Sequence, residues 1–136
     1  MSTKTKSIIA VSARVVLGLI YFVFGLNFFL QFLPAQPHPE GVVAAFTGGL
    51  FQSGYFFPLL KGIEVVAGAA LLIGFFVPLT LVVLAPISIH ILLFHTILAP
   101  AGAPMGIIIL ALNLYLAWVY RDSYKPLFKP KASLSI

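Results

Sequence analysis

Two charged residues sit where an apolar chain should not carry them. Lys61 and Glu64 interrupt an otherwise apolar stretch and are three residues apart. On a helix that spacing puts both on one face, where they can form an ion pair. Pairing lowers the cost of both charges in a low-dielectric setting. The pair is either a structural clasp or part of a polar site. His90 and His95 lie in another apolar stretch. Five residues rotate an α-helix by about 140°, so one narrow stripe cannot carry both. The one-face metal pattern is H-x-x-x-H, and no metal site is expected. Histidine is the proton carrier nearest neutral pH, and Glu64 is the acidic group that could exchange with it. Asn27, Gln31 and Asn113 complete the polar set. Asn27 and Gln31 share a face, and all three amides also suit hydrogen bonding between helices.

What is missing narrows the chemistry. The chain has no cysteine, which excludes disulfides, iron–sulfur clusters, thiolate zinc sites and thiol redox chemistry. It has no Gly-rich phosphate loop, no Ser–His–Asp pattern in a suitable context and no haem-attachment motif. A bis-histidine haem needs histidines on facing helices, and here both fall on one.

The elements that position these residues follow from composition. Hydrophobic residues make up 61% and charged residues 8% of 136. A soluble domain carries about 25% charge, so the chain reads as a single membrane domain. A span needs about 20 apolar residues to cross about 30 Å of hydrocarbon. Four stretches qualify, at about 8–33, 58–76, 79–98 and 105–120, followed by a basic tail at 121–136. Pro86 should kink the third helix. The first stretch exceeds the apolar run of a signal peptide. Its Arg14 is near enough to the end to reach the headgroups. Gly18 and Gly25, seven apart, should allow close helix approach.

Lys4, Lys6 and Arg14 mark the N-terminal end, and Arg121, Lys125, Lys129 and Lys131 the C-terminal end. The connections 34–57 and 99–104 carry no Lys or Arg. The positive-inside rule then places both termini in the cytoplasm, as four spans require. The net charge of +5 therefore reports topology, not nucleic-acid binding. Residues 40–52 read as a short interfacial helix on the outer face, either a connector or a lid. With this topology Asn27, Lys61, Glu64, His90 and His95 fall in the outer half of the bundle and Asn113 near its middle. That convergence is the strongest functional sign.

The residues also resemble a family. The run from Arg14 through Gly18 and Gly25 to Asn27 is similar to the first helix of DoxX-type membrane proteins. Gly54-Tyr55, then Leu60-Lys61-Gly62-Ile63-Glu64 to Gly68, then Leu71-Leu72-Ile73-Gly74 resembles the second. Val77-Pro78-Leu79 and Phe94-His95 fit one branch. The resemblance implies a four-helix bundle in a bacterial inner membrane. Some relatives are linked to thiosulfate:quinone oxidoreduction, others to membrane complexes handling oxidative stress. Glu64 matches the family's acidic position on the second helix and Arg14 its basic position on the first. The fold also resembles the membrane core of vitamin K epoxide reductases, whose cysteine pairs this chain lacks.

The reading is an all-α, integral membrane four-helix bundle with a polar pocket lined by Asn27, Lys61, Glu64, His90, His95 and Asn113. A small hydrophobic or quinone-like ligand would fill it, as part of an oxidoreductase-associated system with redox subunits as partners. Two rivals remain: a structural or assembly protein without a ligand, and a small transporter built as a homo-oligomer.

Overall fold

The computed structural model describes all residues, 1–136, and its regular elements are all helical. Helix α1 spans Thr3–Leu30, α2 Gly41–Gln52, α3 Phe56–Ile73, α4 Val77–Leu93 and α5 Ala103–Val119. A π-helical turn, Phe94–Leu98, extends α4, and a 3-10 turn, Pro100–Gly102, leads into α5. Short 3-10 turns follow over Arg121–Phe128. Four of these elements, with the turns that extend them, are long and apolar enough to cross a membrane, and α2 is the short helix between the first two.

Local chemistry sets the ends. Ser2 caps α1, its hydroxyl accepting from the Thr5 amide at 3.1 Å. The other end stops at Leu30, three residues short of the apolar stretch. There Gln31 turns left-handed (φ 50°) and its amide returns to the Asn27 carbonyl at 2.8 Å. The Asn27 side chain also accepts from the Leu33 amide at 2.8 Å. Gln31 therefore leaves the helix rather than sharing a helical face with Asn27. Gly74 ends α3 in the left-handed region (φ 80°), where a residue without Cβ is unstrained. Pro78 stands in the first turn of α4, where its missing N–H costs nothing.

The helices associate through small residues, because lipid tails offer little hydrophobic drive between apolar helices. α1 and α3 run antiparallel and form the largest interface, followed by α4 with α5. A Cβ on Gly68 would lie 2.5 Å from the Phe22 amide nitrogen, so only glycine permits that approach. Leu17, Leu71, Leu81, Leu84 and Leu116 fill the core. The outer surface is apolar, with Val66, Ile73, Leu79, Ile97 and Trp118 all well exposed. Such a surface is in contact with lipid.

Both termini lie at one end of the bundle. The first turns of α1 and the last of α5 flank a groove that includes Lys6, Ile9, Tyr115 and Trp118. The tail is tied back rather than free: the Tyr124 hydroxyl donates to the Pro78 carbonyl at 3.0 Å. At the same end the Arg14 guanidinium packs on the end of α3, its Nη1 2.8 Å from where a Cβ of Gly74 would be. A cation there faces the negative end of the α3 dipole. Arg14 is thus half-buried within the bundle.

Candidate functional site

Lys61 and Glu64 occupy the second and third turns of α3, at the end of the bundle away from the termini. Lys61 Nζ lies 2.8 Å from Glu64 Oε2. Oε2 is buried, and no other protein group reaches it. Glu64 is only 4% exposed. Room for it comes from α1: Gly25 faces it, and a Cβ there would stand 3.1 Å from the Glu64 Cβ.

The pair opens on a half-open cavity of about 540 Å³ lined by all five helices. This falls within the usual range for small-molecule sites, about 300–1,000 Å³. α1 supplies Ile20, Tyr21 and Phe24, and α3 adds Phe56, Phe57 and Leu60 beside the ion pair. From α4 and its π turn come Pro86, Ile87, His90, Ile91, Phe94 and His95. Met105 and Ile109 of α5 complete the bundle wall. The lining is mainly apolar and rich in aromatic rings.

Helix α2 forms the remaining wall through Phe46, Thr47 and Leu50. Phe46 lies over His90 and Phe94, each with ring centroids 6.0 Å apart. None of the α2 residues is fully buried, and glycines at positive φ, Gly41 (60°) and Gly54 (78°), bound it. α2 therefore covers the cavity instead of joining the core.

Both histidines line this cavity, although α-helical rotation separates residues five apart. The π turn supplies the reason. Its Ala99 amide reaches back five residues to the Phe94 carbonyl, at 3.1 Å. Each residue in such a turn rotates less than in an α turn, which brings His95 back toward the His90 side. His95 Nδ1 lies 3.4 Å from the Ala99 carbonyl. Its ring also packs directly on Gly102, where a Cβ would collide with it. The acidic and imidazole groups do not gather as three metal ligands at any point.

The amides lie elsewhere. Asn27 caps the end of α1 and is not in the cavity wall. Asn113 is buried in the bundle, where its Nδ2 donates to Ser88 Oγ at 3.1 Å. Ser88 Oγ is 2.6 Å from the Tyr21 hydroxyl. This Tyr21–Ser88–Asn113 chain joins α1, α4 and α5 below the cavity, and Tyr21 also contributes to the wall. Neither Tyr21 nor Ser88 stands out from sequence alone. The available signals are that Tyr21 lies one turn before Gly25 and Ser88 between Pro86 and His90.

Four apolar spans and small-residue contacts define a multi-pass membrane four-helix bundle, with a cavity lined by its helices. The family model DoxX matches residues 9–97, from α1 to the π turn that carries His95. The chain belongs to the DoxX family. No curated protein and no solved structure matches it.

Proposed function

We propose that this protein binds a small hydrophobic or quinone-like molecule in the cavity, as a component of a membrane redox system. One observation carries the reading: an ion pair at the wall of a mainly apolar, aromatic cavity large enough for a ring and a short tail. Lys61 would donate to an oxygen of the ligand, and Glu64 holds Lys61 in place. His90 and His95 stand at the same wall, able to pass a proton to or from that oxygen. Without cysteine, the chain supplies no thiol chemistry, and electron carriers would belong to partner subunits.

Orientation follows from charge. Every Lys and Arg except Lys61 belongs to the two terminal segments, and the positive-inside rule places that end in the cytoplasm. The cavity then faces the outer half of a bacterial inner membrane, under α2. Asn27 and Asn113 serve the helices themselves, and the site reduces to Lys61, Glu64, His90 and His95.

Photoaffinity mapping tests the reading. A diazirine-bearing alkyl quinone is irradiated with the protein in native lipid, and the labelled residues are sequenced. Labels concentrated on Phe46, Ile91 and Phe94 support the cavity. Labels confined to the lipid-facing residues Val66, Leu79 and Ile97 would discard it.

A further inference from the structure

We infer that the cavity selects an occupant whose head group is a phenol-like hydroxyl, able to donate a hydrogen bond to Glu64 and accept one from Lys61. The inference rests on the cavity's being a small-molecule site and specifies the chemistry of its occupant.

Its starting point is the carboxylate of Glu64. The residue lines the cavity, and the protein donor against its carboxylate is Lys61 Nζ, 2.8 Å from Oε2. A carboxylate offers about four lone-pair sites and only accepts. Lys61 fills one of them, and a charged acceptor left short of donors costs more than a neutral one. The Tyr21 hydroxyl is 2.6 Å from Ser88 and His95 faces the Ala99 carbonyl; neither they nor His90 make a hydrogen bond to Glu64. A further donor to the carboxylate comes from what fills the cavity.

The partner charge sets the other half. Lys61 is an ammonium with three donors, and its contact with Glu64 leaves protons to give. The two charges cancel, so the site favours a neutral head over an anion. A hydroxyl meets both needs with one oxygen, donating to Glu64 and accepting from Lys61. An ether or a quinone carbonyl only accepts and donates nothing to the Glu64 carboxylate. The aromatic walls, with Phe24, Phe46, Phe57 and Phe94, suit a ring attached to that hydroxyl. Among quinone-like molecules the cavity therefore prefers the hydroxylated, reduced form.

The test is competition in nanodiscs of the full chain. Bound 2-fluoro-4-pentylphenol is followed by fluorine NMR while 4-pentylphenol, 4-pentylanisole or pentylbenzene displaces it. Concentrations are corrected for partition into protein-free nanodiscs. 4-Pentylphenol is expected to displace at a level at least about tenfold below the other two, as for a hydrogen bond to a charged group. In Glu64→Gln, whose amide both donates and accepts, that preference is expected to shrink to less than about threefold. Equal displacement by all three would overturn the inference while leaving the cavity as a binding site. A reporter that never binds would overturn both. A preference unchanged in Glu64→Gln would remove Glu64 from the account. Should that variant not fold, the wild-type ratio alone decides.

Discussion

Gly25 of α1 faces Glu64 of α3 so closely that a Cβ would stand 3.1 Å from the Glu64 Cβ. The buried carboxylate exists because the opposing helix has no side chain there. Gly25→Ala is expected to destabilise the bundle by about 1–3 kcal/mol, the usual cost of overpacking. Gly48→Ala, on α2 with nothing near its Cβ position, should cost much less. Unfolding in mixed micelles compares them. Equal stability of Gly25→Ala and wild type would show that the two helices separate without penalty.

The ion pair makes a sharper prediction. Lys61→Met leaves Glu64 buried without its counter-charge, and breaking such a pair costs about 3–5 kcal/mol. Replacing both, in Lys61→Met with Glu64→Leu, should recover most of that loss. A double-mutant cycle on unfolding free energy measures the coupling. Additive losses would mean that the two charges do not sense each other at 2.8 Å.

The Tyr21–Ser88–Asn113 chain should behave differently. Ser88→Ala strands two buried polar partners and is expected to cost about 1–2 kcal/mol, with no effect on which ligand the cavity prefers. Cross-helix hydrogen bonds in membranes average only about 0.6 kcal/mol, so a loss nearer that value would show that the stranded groups find new partners. A change in ligand preference would make the chain part of the site.

The absence of cysteine makes orientation simple to test. Single cysteines are introduced by Gln36→Cys, in the connection before α2, and Ser123→Cys, after α5. A membrane-impermeant maleimide added to intact spheroplasts should label the first and not the second. Labelling of Ser123→Cys alone would invert the topology.

Much of this architecture can be read from the chain itself. The four spans are legible because a bilayer demands long apolar helices, and Lys61 and Glu64 are conspicuous in them. The short helix after the first span is marked by the prolines that precede it and its own small residues. The site was harder to read for local reasons. His90 and His95 converge through a π turn, which α-helical periodicity does not anticipate. Asn27 serves as a cap because the chain turns left-handed at Gln31, a backbone event that hydropathy does not register. Tyr21 and Ser88 carry a single hydroxyl each, and only the packing of three helices brings them to 2.6 Å. Phe46 looks like any interfacial aromatic until α2 is laid across the bundle.

The central claim is that the ion-paired cavity holds a small molecule. Native mass spectrometry of protein released from its own membranes, with organic extraction of what accompanies it, tests this most directly. The account predicts about one hydrophobic, hydroxyl-bearing compound per chain, lost in the folded Lys61→Met, Glu64→Leu double variant. A bare wild-type chain, or a compound retained equally by the double variant, would contradict it.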